Sequence, residues 1–178
     1  MSNVVVRRVE SKKDLKKFVK VPFHVHRDHP EWVPPLIMER MDFLNRKKNP
    51  YFDHAEVELL IAERDGVPVG RISAQIDSRW DEYRGGNDGQ FGFFETIDDA
   101  EVANALLDAG CEWLAGKGRE KVYGPMDFTT NDELGIQIEG FDIRPVILEN
   151  CHQPYVRELV EGNGFTKAMD LLMWHLEM

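Results

Sequence analysis

Two alternating runs, Glu56 to Arg64 and Val67 to Asp77, meet at Asp65-Gly66. A two-residue Asp-Gly link between period-two segments is a strong hairpin signal, because such turns need positive φ and glycine supplies it without strain. The rest of the chain has to be arranged about this antiparallel pair. In its second run Ile72, Ala74 and Ile76 fall on one face and Arg71, Ser73 and Gln75 on the other, which predicts one face in the core.

Around the hairpin, Val4 to Val9 reads as an opening strand. Ser11 and Asp14 form a weak capping box for a short helix that turns Leu15, Phe18 and Val19 inward and that Pro22 ends. Residues 29–35, His-Pro-Glu-Trp-Val-Pro-Pro, are extended, since a residue before proline is pushed out of the helical region. Ile37, Met41 and Leu44 then keep helical spacing, while Trp80 to Gly89 reads as a charged loop. Phe91 to Glu95 is a buried strand that runs into an amphipathic helix carrying Val102, Leu106, Ala109 and Trp113, closed by Gly116 and Gly118. Lys121 to Tyr123 is a short strand, Pro145 to Glu149 another, Pro154 to Glu161 a helix and Phe165 to Leu176 a final strand. The expected order is β-α-α-β-β-β-α-β-β-α-β, one α+β domain over residues 1–178 without repeats or linker.

The junction after Phe91 bears most directly on function. A strand ending at a helix N-terminus is an anion site, because the first turn leaves N–H groups unpaired at the positive end of the helix dipole. Here that turn is acidic: Asp98 reads as N-cap and Glu101 as its capping-box partner, with Asp99 between. A bound pyrophosphate about 5 Å from a carboxylate loses about 3 kcal/mol at an effective dielectric near 20. The other reading is a capped surface helix with no ligand.

Charge is uneven along the 178 residues. The net charge is -10, but residues 1–50 hold 12 Lys and Arg against 6 Asp and Glu, and the remainder 10 against 26. An acidic body argues against nucleic acid, whose phosphates need a basic face. The basic stretch of Lys12, Lys13, Lys16, Lys17 and Lys20 suits peripheral contact with an anionic lipid surface or an acidic substrate, or is a solvated helix face. Cys111 and Cys151 read as reduced thiols, and with no apolar segment long enough for a span or a signal peptide the expected location is cytoplasmic.

Five sequence words in order carry a resemblance: Trp32-Val33-Pro34-Pro35, Lys48-Asn49-Pro50, Phe91-Gly92-Phe93-Phe94-Glu95, residues 124–133 (Gly-Pro-Met-Asp-Phe-Thr-Thr-Asn-Asp-Glu) and Glu139-Gly140-Phe141-Asp142. With the element order they resemble the GNAT acyltransferase superfamily, and more closely a bacterial GNAT-like family that includes ceramide synthase-like proteins. The resemblance implies a GNAT-like fold with a central mixed sheet and helices on both faces. It further implies acyl-CoA or acetyl-CoA as co-substrate and an amine as acceptor. Two parallel strands would splay, and the pantetheine arm would add to the edge of one at Phe93, Phe94, Glu95 and Thr96, with Lys121 to Tyr123 as the splayed partner. The chain departs from the superfamily pattern in two places. The glycine-containing pyrophosphate loop is replaced by Thr96-Ile97-Asp98-Asp99-Ala100, which implies weak CoA binding, and Val160 stands where a tyrosine is usual. Members of the closer family are commonly about twice this length, so one lobe of a longer enzyme is also a reading.

Acyl transfer to an amine needs a base for the ammonium proton, donors for the oxyanion and an acid for the thiolate. Glu95 is the candidate base, with burial expected to raise its pKa toward neutrality; the alternative is a surface carboxylate at a strand end. Asn131 could donate to a carbonyl and Asp132 or Glu133 hold an amine, against an Asx-type turn. Tyr155 is the candidate replacement acid, against a core or capping tyrosine. His24, His26 and His29 lack a fourth ligand at suitable spacing, so no metal is expected. Cys111 reads as an inert helix thiol, and Cys151 with His152 as the better pair to watch. The reading is an acyl-CoA-dependent N-acyltransferase acting on a small-molecule or lipid amine, with Trp32, Met38, Met41 and Phe43 as acceptor cover. The alternative is a non-catalytic GNAT-like lobe that binds a partner or forms a homodimer.

Overall fold

A computed structural model describes residues 3–174. The elements are β1 (Val4–Arg8), α1 (Lys12–Val25), α2 (Ile37–Phe43), a 3-10 turn (Pro50–Asp53), β2 (Ala55–Arg64), β3 (Val67–Asp77), α3 (Ser78–Arg84), β4 (Asp88–Thr96), α4 (Ala100–Gly116), β5 (Lys121–Tyr123) and α5 (Val156–Gly162). One sheet holds all five strands in chain order, antiparallel except for the β4–β5 pair.

The hairpin forms as its turn residues require, with Asp65 and Gly66 both at positive φ. Both faces of β3 are buried, however, the polar one included. On the apolar face α4 lies close: a Cβ on Gly110 would sit 3.6 Å from Ile72 and 3.9 Å from Ala74. Val102, Leu106 and Leu107 of α4, Ile72, Phe91 and Phe94 of the sheet and Val156 and Val160 of α5 make up this core. On the other face α1 covers Arg71, whose guanidinium lies 5.1 Å from the Phe18 ring. Phe18, Val19, Leu59, Ile61, Phe93 and Phe128 form a second core there.

Several sequence expectations need correction. Helix α1 carries the predicted capping box between Ser11 and Asp14 but continues through Pro22 to Val25. Proline removes the N–H that would bond the Phe18 carbonyl. That carbonyl instead accepts from Arg71 Nη1 at 3.4 Å, which lets the helix run on. Residues 78–84 form α3 rather than a loop: Asp77 caps it by accepting from the Arg79 N–H at 2.9 Å, and Gly85 ends it in the left-handed conformation. The N-cap of α4 is Asp99, not Asp98, and Glu101 forms no capping box. Residues 145–149 are not a strand, nor are residues 165–174; the last two positions of that expected strand lie outside the described residues. Apolar runs without a neighbouring strand cannot satisfy their backbone as sheet.

Candidate active site at the end of strand β4

The feature that positions the site is where β4 loses its parallel partner. Pairing with β5 runs from Asp88–Lys121 to Gln90–Tyr123 and stops, while β4 continues to Thr96. The chain leaves β5 through Gly124-Pro125, and Met126 N–H donates to the Phe91 carbonyl at 2.8 Å. Gln75 Nε2 donates to the Met126 carbonyl at 2.7 Å, and Asp127 Oδ1 accepts from the Phe93 N–H at 2.6 Å. Only glycine fits at position 92, because a Cβ there would overlap the Met126 carbonyl.

A β-bulge sits at the same place. Ser73 pairs with Gly92 and Arg71 with Glu95, so Phe93 and Phe94 oppose the single residue Ile72, and Phe93 takes φ 48°. The extra residue resets the alternation. Phe93 packs into the α1-side core and Phe94 into the α4-side core, which leaves Glu95 on the α1 side with His26. At the far end the Thr96 carbonyl accepts from the Tyr155 hydroxyl at 2.8 Å on the outer edge. Alternation from Thr96 puts the Phe94 amide and carbonyl on that edge too, facing the gap.

Glu95 anchors a buried polar cluster on the α1 side. Its Oε2 lies 2.8 Å from His26 Nε2, and its Oε1 lies 3.9 Å from Arg71 Nη2. His26 is the C-cap of α1, its N–H bonded to the Pro22 carbonyl, so the run through Pro22 is what delivers this imidazole. The ring stacks on Trp32, with centroids 5.2 Å apart and planes at 16°, and on His29 at 5.8 Å and 28°. Its Nδ1 is buried without a partner. His152 completes the buried set; its Nδ1 accepts from the Gln137 N–H at 3.2 Å and its own N–H donates to Gln137 Oε1 at 3.0 Å.

The electrostatics correct one expectation. Burial on its own pushes the Glu95 carboxyl up, but the electrostatic pull and hydrogen bond of His26, with the charge of Arg71, outweigh it and hold Glu95 below its ordinary value. Glu95 is an ionised carboxylate, not a carboxyl tuned toward neutrality. Burial lowers His152 and keeps it neutral, against the opposing charge of Glu95. Asp127 goes the other way: burial first, then the neighbouring Glu133, lift it well above its ordinary value, so it holds its proton. Glu133 is itself bonded to Arg40 Nη2 at 3.0 Å.

The remaining candidates make other contacts. Asp132 Oδ2 accepts from Thr129 N–H at 3.1 Å and from Thr129 Oγ1 at 2.6 Å, while the Asn131 N–H donates to Thr129 Oγ1 at 3.2 Å; Asn131 is exposed. Burial raises Tyr155, with Glu95 and Asp98 adding to it, so the hydroxyl stays protonated. Burial pushes the Cys151 thiol up to about 11 and raises Cys111 as well, which makes both poor nucleophiles at neutral pH. Among the described residues no group of His, Cys, Asp and Glu is arranged to hold a metal ion. Nor, among them, is any helix long and apolar enough to cross a membrane.

At the start of α4, Asp99 Oδ1 accepts from the N–H groups of Glu101 at 2.9 Å and Val102 at 3.2 Å. The amides that would hold a pyrophosphate are therefore occupied by the protein's own carboxylate. Arg64 bridges Asp99 at 2.7 Å and Glu101 at 2.9 Å, offsetting part of the negative charge expected there. Two surface clefts lie away from Glu95. One of about 600 Å³ is lined by Arg8, Glu58, Trp113 and Lys117. The other, of about 360 Å³, is lined by Trp80, Tyr83, Gln90, Met126 and Phe128.

A mixed sheet whose one parallel pair parts beside a helix N-terminus, with helices on both faces, is the GNAT acyltransferase fold, and this protein has it. A predicted acetyltransferase of Clostridium acetobutylicum, solved with acetyl-CoA, matches with a TM-score of 0.58 over 97% of this chain and 96% of its own, at 14% identity. In sequence the chain is similar to the bacterial ceramide synthase of Caulobacter vibrioides, 41% identical over 167 residues, and to protein YghO of Escherichia coli, 39% identical over 173. Those matches take in 93% and 97% of this chain but 44% of each relative, so the chain spans under half their length. No protein-family profile matches it.

Proposed function

We propose that the protein is an acyl-CoA-dependent N-acyltransferase whose acceptor is an apolar or lipid amine. The observation that carries this reading is the unpaired end of β4 beside a buried, charged Glu95 and His26. In this reading the pantetheine arm pairs with the edge at Phe94, because Asp127 already holds the Phe93 N–H and Tyr155 the Thr96 carbonyl. The amine approaches from the α1 side, where Glu95 and His26 are its proton-accepting pair. Tyr155, kept protonated and bonded at the edge, is the donor for the departing thiolate. Asp132 and Asn131 shape the loop after Phe128 rather than contact the amine.

Support for an apolar acceptor comes from the exposed side chains. Val33, Leu36 and Met38 on one segment, Ile143, Val146, Ile147 and Leu148 on another, and Leu171, Leu172, Met173 and Trp174 on a third all stand largely in solvent. Arg144 lies 4.0 Å from Glu31, which links the first two segments, and the His29 contact of Cys151 brings the second toward the site. Large exposed apolar patches mark binding surfaces. The outward lysines of α1 add a means of approach to an anionic membrane holding such an amine. The test is turnover: palmitoyl-CoA and acetyl-CoA are offered with dodecylamine, and free CoA thiol is followed. Amine-dependent thiol release is expected, faster with the longer thioester; no release with any pair at millimolar amine would refute the reading.

The second reading, a non-catalytic GNAT-like lobe, draws on the filled amides at the α4 N-terminus and on Val160 in place of tyrosine. It expects no acyl-CoA binding by titration calorimetry.

A further inference from the structure

The Glu95–His26 pair leaves open which member takes the proton. With Glu95 ionised, its contact with Nε2 at 2.8 Å requires the proton on that nitrogen, so in the neutral ring the lone pair is on Nδ1. That atom is buried and unpartnered, and an unmet buried polar group is costly unless it has a partner to come. An acceptor held in one tautomer by a carboxylate, with its other nitrogen free, is the arrangement by which a base is oriented and its protonated form stabilised. We infer that His26 Nδ1 is the general base and that Glu95 is the positioning residue behind it.

The inference rests on the acyltransferase reading. The step balances: Nδ1 takes one proton from the substrate ammonium, and the freed amine attacks the thioester carbonyl, forming the C–N bond. Collapse breaks the C–S bond; Tyr155 gives its proton to the thiolate and is reprotonated by the second amine proton, leaving amide, CoA thiol and an imidazolium. The ring lies against the Glu95 carboxylate and is stacked on Trp32. The charged and titratable groups facing it are Glu95 from β4, Arg71 from β3, His29 from the turn after α1 and His152 from the segment before α5. The covering segment, residues 27–36, has neither helix nor strand, and its Trp32 is the side chain stacked on the ring.

In the sequence alone His26 shows only as one of three histidines without the spacing of metal ligands. Glu95, one residue past Phe94 at the gap, is too strongly held as an anion to be a good base at neutral pH, which is the physical reason to move the role.

The test has two arms. In the assay with palmitoyl-CoA and dodecylamine, His26→Gln is expected to lower kcat about 10²–10⁴-fold with the acyl-CoA KM unchanged. Glu95→Gln is expected to lower kcat less and to shift the lower limb of the pH–rate profile, which a merely structural role would not do. Independently of turnover, long-range ¹H–¹⁵N correlation spectra of the folded wild type are expected to show His26 protonated at Nε2 and bare at Nδ1. Wild-type protein without turnover overturns the acyltransferase reading and this step with it. Turnover that survives in folded His26→Gln, or a proton found on Nδ1 with Nε2 bare, overturns this step alone.

Discussion

The two faces of the sheet are equally buried and chemically opposite. Against α4 the contacts are Ile72, Phe91, Phe94, Leu106 and Leu107, a core that needs only volume and apolarity. On the opposite face the same strands present Arg71, Ser73, Gln75 and Glu95, with Ser73 bonded to Gln75, Gln75 to the Met126 carbonyl, and Glu95 to His26 and 3.9 Å from Arg71. Buried polar groups stabilise a fold no better than well-packed apolar ones, so a network of this size is a mark of function rather than stability. Both faces hold an apolar core, and the α1 side alone adds the buried polar groups to which the proposed chemistry is assigned.

Substitutions on the two faces should therefore separate activity from stability. His26→Gln carries the largest expected effect: a loss of about 10²-fold or more in kcat, with thermal unfolding by calorimetry little changed. Leu106→Ala, on the opposite face, is expected to cost about 2–5 kcal/mol in denaturant unfolding while the acyl-CoA KM stays put. If each variant lost both properties, the division between the faces would fail.

At the mouth of the gap, Asp99→Ser keeps a capping oxygen but removes the charge and leaves Arg64 bonded to Glu101 alone. Acyl-CoA is expected to bind about tenfold tighter by calorimetry, about 1.4 kcal/mol; unchanged affinity would mean the pyrophosphate lies elsewhere. The smallest effect is at Asp127. Its carboxyl sits above its ordinary value of 3.8 in the fold, so stability is full below that pH and declines as pH rises toward the raised value. Asp127→Asn keeps the acceptor for the Phe93 N–H and cannot titrate. It is expected to be more stable than wild type at pH 8 and not at pH 4, by about 1 kcal/mol or more in denaturant unfolding; the same difference at both pH values would count against a protonated Asp127.

Much of the framework was legible because its signals are local. The Asp65-Gly66 turn, the Ser11–Asp14 box and the apolar stripe of α4 each fix an element without reference to the rest of the chain. Helix α3 escaped notice because it buries no residue and so shows no apolar stripe. Residues 165–174 look like a strand in isolation, and whether they pair depends on a neighbour that sequence does not reveal.

The site was half legible for the same reason. Glu95 could be named from its place at a strand end, but its low pKa comes from His26 and Arg71, 69 and 24 positions away. Arg71 could have been suspected as a lone charge on the buried hairpin strand. His26 could not, since Pro22 argues for a helix end, whereas the helix goes on past it with the freed Phe18 carbonyl bonded to Arg71.

The central claim is that a thioester arm lies along the free end of β4. Backbone ¹H–¹⁵N spectra recorded while palmitoyl-CoA is titrated in test it most directly. The amides of Phe94, Glu95 and Thr96 should move first and furthest, with those of Asp98 and Asp99 following. No shift at millimolar ligand, or shifts confined to the clefts at Trp113 or Trp80, would contradict it.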